Sequence, residues 1–451
     1  MREKPAFVSV PELYSVYKQC FSVSTDTRNI APGGIFFALK GDRFDANAFA
    51  AEALQAGVQY AVIDQESYKK DERFLLVEDV LTALQGLAKY HRRQLSIPVI
   101  GISGTNGKTT TKELVNAVLG QKYRVHATRG NRNNHIGVPL TLLSVPENAE
   151  IAIIEMGANH PGEIAFLCGI AEPTHGLLTN VGRAHLEGFG SFDGIRKTKA
   201  ELYDFLSEHN GTLFLHSDNA HLREMAERRN IRSVFRYGCS AGNDVVGRLE
   251  RADPFLSVSW TFRNGRQNAV STRLTGAYNT ENLLAAVAVG CAFGLSAERI
   301  NRGLESYEPA NSRSQLVRTA TNTVIADHYN ANADSMAAAL DNIAALRAAH
   351  KTIVLGDMFE MGEASAEEHR KVVEKALSID ADRAIFVGKA FFGQRNFGNN
   401  AKAAFYETTE EARAAIATQP IKNSLVLLKA SRGMAFEKLL ESMTNDDGAR
   451  F

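Results

Sequence analysis

The chain has 451 residues, enough for roughly three domains at about 150 residues each, and its 51 basic and 51 acidic side chains cancel, which argues against a binder of nucleic acid or membrane surfaces. With 44% hydrophobic and 23% charged residues it has the composition of a folded protein with several cores, not of a disordered chain. No apolar run approaches the roughly 18 residues of a spanning helix, so no membrane insertion is expected.

The start, Met1-Arg2-Glu3-Lys4-Pro5, is charged and has no hydrophobic segment behind it, which gives the expectation of a cytoplasmic protein. A helix-like stretch around Leu84 to Gln94 runs into Ser96-Ile97-Pro98, a junction before the strand run Val99-Ile100-Gly101-Ile102. Strand-length apolar runs then alternate with helix-period segments: Ile151 to Ile154, Gly176 to Val181, Val324 to Ala326, Thr352 to Leu355, Ala384 to Val387 and Leu425 to Leu428. This alternation predicts an α/β protein built on mostly parallel sheets, with ligands beyond the carboxyl ends of the strands. A second junction, Tyr307-Glu308-Pro309-Ala310-Asn311-Ser312, precedes a final doubly wound block of four strands and four helices. The expected domains are therefore 1–85, 86–311 and 312–451. Cys20, Cys168, Cys239 and Cys291 form no C-x-x-C pair and are expected as buried small hydrophobes.

Between the first strand and the helical segment Lys112 to Leu119 lies Gly101-Ile102-Ser103-Gly104-Thr105-Asn106-Gly107-Lys108-Thr109-Thr110. It reads as a phosphate-binding loop: glycines turn backbone N–H groups inward, Lys108 neutralises phosphate, and Thr109 offers a hydroxyl to Mg²⁺. The strict spacing would place a glycine at Ile102; here the glycines stand at 101, 104 and 107. Glu155 ends the run Ile151 to Ile154, where it can serve a metal, act as a general base, or cap a neighbouring helix. His185 follows the next strand and can approach the same point, although Mg²⁺ prefers oxygen ligands. In Arg196-Lys197-Thr198-Lys199 the two lysines face different sides of a helix, and taken alone the segment is a solvated one. The residues themselves lead to an ATP-using enzyme and stop short of its substrate.

The ordered set Gly104 to Thr109, Asn134-His135-Ile136-Gly137-Val138-Pro139, Glu155-Met156-Gly157, Asn180-Val181 with His185, and Tyr278-Asn279-Thr280-Glu281-Asn282 resembles the Mur ligase family, over nearly the whole chain. Within it, the stretches Glu155 to Ile164, Ala184 to Ser191, Tyr329 to Asn332, and Leu355-Gly356-Asp357-Met358 with His369 resemble the branch that joins D-alanyl-D-alanine to UDP-N-acetylmuramoyl-tripeptide. The resemblance implies a small N-terminal UDP-binding domain, a central ATPase domain and a C-terminal Rossmann-like domain. It also implies an acyl-phosphate mechanism with ATP and Mg²⁺.

Carried over by position, Gly104, Thr105, Asn106, Gly107, Lys108, Thr109, Thr110, Asn279, Asn282, Arg313 and Asp327 would bind ATP. Lys108, Glu155, His185 and Lys199 would be catalytic, and Thr109, Glu155, His185 and Lys199 would hold metal, the last as a CO₂-derived carbamate. Thr27, Arg28, Phe44 and Asp45 at the UDP end, with Asn134, Tyr329, Asn330 and Asn332, would bind substrate. The turn Lys429 to Gly433 would lie near the dipeptide. Ser312, His328, Ala333 and Ala430 depart from the family pattern without removing a charged catalytic group. A monomer is the default expectation. The competing readings are a relative that adds the third peptide residue, a folylpolyglutamate synthetase, and a non-catalytic nucleotide-binding protein.

Overall fold

The computed structural model describes residues 7–41, 43–310, 312–397 and 400–445, so the charged start Met1 to Pro5 and Asp42 of the UDP-end motif lie outside the described residues. Three main sheets follow one another along the chain. The first is parallel, with strands Val23–Ser24, Ile35–Phe37, Tyr60–Ile63 and Phe74–Leu76 side by side, and carries a small hairpin of Lys40–Gly41 against Phe44–Asp45.

The central sheet has nine strands. Its strand Val99–Ser103 lies between His175–Leu178 and Ile151–Glu155, all parallel, so that the loops after these three strands open at one edge. Between their end residues these strands are apolar because both faces are covered. The far side of the sheet departs from the expected parallel pattern: Val245–Arg251, Ser257–Phe262 and Asn268–Ser271 add an antiparallel meander. Val245 and Gly247 are buried while Arg248 to Arg251 are all exposed, so this strand leaves the core along its length.

Helix Asn279–Ala292 is buried from Asn279 to Gly290 at every position except Glu281, because it packs against both the sheet and helix Lys108–Leu119. Gly290 permits the close approach to that helix, since a Cβ there would lie 2.7 Å from Val118 Cγ1, and Gly303 does the same for helix Ala297–Ser306, where a Cβ would lie 2.6 Å from Cα of Val118.

The last unit has six strands where four were expected, in the order Gln315–Arg318, Thr323–Asp327, Leu425–Lys429, Lys351–Gly356, Arg383–Val387 and Ala403–Tyr406. The two additions are edge strands, only partly buried, and so lack the continuous apolar run that marks the inner four.

Helix Val80–Gln94 spans the expected cut near residue 85 and packs on helix Val10–Cys20 on one side and on Gly137–Leu142 and Glu163–Ala171 on the other. Its buried Arg92 donates to the carbonyls of Ala171 and Glu172, each at 2.8 Å, satisfying carbonyls at the C-terminal end of helix Glu163–Ala171. The Tyr17 hydroxyl donates to Leu143 O at 2.6 Å. Of the cysteines only Cys168 is fully buried; Cys239 is exposed and Cys20 and Cys291 are half-buried, which corrects the expectation for three of them. Their sequence neighbours are polar turns or helix ends, not strand interiors.

Candidate active site

A cleft of about 760 Å³ opens where the carboxyl ends of the central strands meet the C-terminal unit. The phosphate loop forms its floor. Gly104 has φ +134° and a Cβ there would lie 2.0 Å from Thr179 Oγ1, while Gly107 has φ +79° and would meet Asn282 Oδ1 at 2.5 Å. Both positions therefore need glycine for backbone angle and for space. Lys108 begins the helix, and its ammonium donates to the carbonyls of Gly104 and Thr105 at 2.9 and 2.8 Å, folding over the loop it would share with a phosphate. Burial lowers its pKa to about 8, opposed by Glu155 and assisted by Arg313. Asn106 is held from behind: its N–H donates to Asn180 Oδ1 at 2.9 Å, and Thr179 Oγ1 donates to its carbonyl at 2.6 Å.

Glu155 is 1% exposed and ends its strand facing the loop. Thr109 Oγ1 donates to it at 3.0 Å and Asn133 Nδ2 at 2.8 Å, with no ion pair to the carboxylate among the described residues. A buried carboxylate beside a hydroxyl and an open phosphate site suits Mg²⁺, which takes one or two protein oxygens and fills the rest of its shell from phosphate and water. Among the described residues no group of three or more His, Cys, Asp or Glu converges on a metal, so the protein's own donors here are few.

His185 lines the same cleft in a left-handed conformation at φ 52°. Burial lowers its pKa, with Glu360 of the C-terminal unit opposing through a short hydrogen bond to Nδ1. Lys199 is only 2% exposed, whereas its neighbour Lys197 points to solvent and pairs with Asp193, so the two lysines do face different sides of helix Phe192–Glu208. The Lys199 ammonium makes no hydrogen bond or ion pair among the described residues and stands 5.8 Å from the centroid of the Phe189 ring. Burial, then the charge of Lys108, lowers its pKa to about 7. It does not line the cleft.

Asn279 and Asn282 lie on one face of their helix. Asn282 accepts from Thr111 Oγ1 at 3.0 Å and donates to Asn279 at 2.8 Å, bracing the phosphate loop from the side. The opposite wall belongs to the C-terminal unit. Asp327 accepts from Ser314 N–H at 3.0 Å and from the buried Lys429 at 2.6 Å. The guanidinium of Arg313 lies 3.9 Å over the Tyr329 ring, and its Nε is buried without a hydrogen-bond partner among the described residues. Tyr329 and Asn330 line the cleft; Asn332, also lining it, is spent on protein contacts, as the N-cap accepting from Ser335 N–H and in an amide pair with Asn106. Asn134 lines the cleft and accepts from Gly137 N–H at 2.9 Å.

The N-terminal candidates are not brought to this cleft. Thr27 and Arg28 occupy a 3-10 turn in which Arg28 pairs with Asp26, while Phe44 stacks on Phe49 at 5.3 Å and Asp45 accepts from Asn47 and Gln65. Asn133, Asn180, Asp334 and Glu360 join the site without having been marked by any motif as ligands. The crowded run Asn131-Arg132-Asn133-Asn134 could have signalled the first; the last two reach the site only because the C-terminal unit docks there.

A phosphate loop on a central α/β sheet, facing a second α/β unit across a shared cleft, defines a two-walled nucleotide-binding protein. The chain belongs to the Mur ligase family. The model of the Mur ligase middle domain matches residues 102–290, and that of the Mur ligase glutamate ligase domain matches residues 312–432. UDP-N-acetylmuramoyl-tripeptide--D-alanyl-D-alanine ligase of Bacillus subtilis is 36% identical, covering 93% of this chain and 92% of the relative. The enzyme of that name from Escherichia coli is 33% identical over 94% and 93%. Among solved structures, MurF from Acinetobacter baumannii has a TM-score of 0.83 at 32% identity, covering 94% of this chain and 93% of its own. MurF ligase from Thermotoga maritima, in complex with ADP, has 0.82 at 28%, covering 94% and 97%.

Proposed function

We propose that this chain joins D-alanyl-D-alanine to UDP-N-acetylmuramoyl-tripeptide at the expense of ATP, giving the UDP-muramoyl-pentapeptide, ADP and phosphate for peptidoglycan synthesis. The observation that carries the reading is the division of one cleft between the phosphate loop and the wall of Arg313, Asp327, Tyr329 and Lys429, on a chain alike over nearly its whole length to ligases of that name.

A carboxylate is a poor acyl donor, so the tripeptide carboxylate first takes the γ-phosphoryl group and ADP leaves. Lys108 and the loop N–H groups steady the negative charge that shifts during this transfer. The dipeptide amine then attacks the acyl carbon, loses a proton, and the tetrahedral intermediate expels phosphate to leave the amide. Mg²⁺, held by Thr109 and Glu155 with His185 beside them, would neutralise phosphate charge. Lys199 is suited to carbamylation because only its neutral amine attacks CO₂, and burial keeps much of it neutral near pH 7. The carbamate would replace a repelling cation with an anion. Arg313 and Asp327 would close on ATP, and Asn279 and Asn282 would brace its adenine side.

Thr27, Arg28, Phe44 and Asp45 would hold the UDP end on the first sheet, 1–85, with 86–311 as the ligase domain and 312–451 as the closing domain. The described residues contain no helix long and apolar enough to cross a membrane. Nucleotide-linked substrates support a cytoplasmic site of action, and a cleft built wholly from one chain supports a monomer.

The test is phosphate release from ATP and Mg²⁺ with the UDP-tripeptide, with and without D-Ala-D-Ala, followed by mass analysis. Release requiring both, with pentapeptide product, is expected. Turnover on a different amine would move the chain elsewhere in the family, and no turnover with any acceptor would refute ligase activity.

A further inference from the structure

The first turn of helix Ala333–Ala345 touches the central unit at two places. Asn332 Nδ2 donates to Asn106 Oδ1 in the phosphate loop at 2.8 Å. One carboxylate oxygen of Asp334 accepts from the backbone N–H of Arg183 at 2.7 Å. Arg183 follows Gly182, where an added Cβ would lie 2.3 Å from that same oxygen. This glycine is needed for space, since Gly182 is not in the left-handed region. The Gly182 segment is in turn locked to the phosphate loop: its N–H donates to Thr105 Oγ1 at 3.0 Å, and Thr105 N–H donates to Asn180 O at 3.0 Å. Three residues beyond Gly182 comes His185.

We propose that Asp334 is a positioning residue, which fixes the Gly182 to His185 loop against the phosphate loop when the C-terminal unit docks. Nucleotide binding and docking of the C-terminal unit are thereby coupled through one carboxylate and one glycine. An acidic residue in a first helical turn also favours its own helix through the dipole, so the alternative role is local helix stability. The two roles differ in what they predict across the contact.

The proposal rests on the ligase reading only for its turnover measurement. Gly182→Ala, Asp334→Ala, the double variant and Asp334→Asn are made in the full chain. Affinity for a non-hydrolysable ATP analogue with Mg²⁺ is measured by calorimetry, and kcat and the KM of each substrate by phosphate release. Each alanine variant is expected to lower kcat and analogue affinity about tenfold, as loss of a partly exposed charge-assisted hydrogen bond does, with the KM for UDP-tripeptide within about twofold. The double variant should match the singles, because both remove the same contact. Asp334→Asn keeps an oxygen acceptor for Arg183 N–H and should stay within about threefold of the wild type. Multiplying losses in the double variant, or Asp334→Asn as impaired as Asp334→Ala, would overturn the proposal in favour of helix stability. If the wild type shows no D-Ala-D-Ala-dependent turnover, the ligase reading fails, and the calorimetric comparison still decides the role of Asp334.

Discussion

Replacing Lys199 by Met should make the protein more stable at neutral pH while abolishing ligation. Lys199 is 2% exposed, with no counter-ion in contact with its ammonium among the described residues, and its pKa falls from 10.5 to about 7, burial being the main cause and the charge of Lys108 the second. Between these values the unfolded chain binds more protons than the native one, so wild-type stability rises with pH through this window and carries the full penalty below it. At pH 7 the penalty is on the order of 4 kcal/mol. Met keeps an unbranched side chain one atom shorter, apolar and without charge, and so removes both the penalty and the slope. Guanidinium unfolding in CO₂-depleted buffer at pH 7, 8 and 9, followed through Trp260, the sole tryptophan and part of the central sheet, reads this unit. The gap between variant and wild type should narrow as pH rises, and bicarbonate should stabilise the wild type alone. A variant less stable than the wild type at pH 7, or one with the same pH slope, would refute the assignment of Lys199 as a desolvated, unpaired amine.

Gly107→Ala should cost roughly 100-fold or more in ATP turnover, since the new methyl group would sit 2.5 Å from Asn282 in a left-handed backbone; equal nucleotide affinity by calorimetry would contradict this. Ser312 has φ 55°, a strain that glycine would relieve, so Ser312→Gly should stabilise the C-terminal unit by about 1 kcal/mol, seen as a raised unfolding midpoint. His369 is fully buried and neutral, its Nε2 accepting from Met358 N–H at 3.0 Å and its Nδ1 donating to Ser365 O at 2.7 Å. Burial lowers its pKa, so the unfolded chain takes up the proton first and stability should fall as pH drops below about 6.5. His369→Gln should flatten that slope in thermal unfolding between pH 5 and 7.

Where one strand, one loop and one helix make a feature, the chain spelled it out. The run Val99 to Ile102 followed by Gly104, Gly107 and Lys108 gave strand, phosphate loop and helix, because a covered strand must be apolar and a loop that binds phosphate through its backbone must lack side chains. Glu155 at the end of Ile151–Glu155 was visible for the same reason: a carboxylate terminating an apolar run has few places to go. The helical spacing of Lys197 and Lys199 showed that they part, but not which one is buried. That depends on Phe189 and the sheet beneath, which are distant in the local pattern.

The edge strands Gln315–Arg318 and Ala403–Tyr406 and the antiparallel meander were illegible, since half-covered strands carry no continuous apolar run. Asn332 reads equally well as a substrate ligand or a helix cap; the docked units make it a cap and a partner of Asn106. Asp334 and Glu360 carry no signal of their own, because what they touch is backbone and histidine about 150 and 175 residues away. The sequence by itself thus determined the α/β class, the phosphate loop and the family, all properties of short contiguous segments. The pKa of Lys199, the hold on His185 and the shared walls of the cleft were decided by tertiary structure alone, since burial and distance exist only once the three sheets have packed.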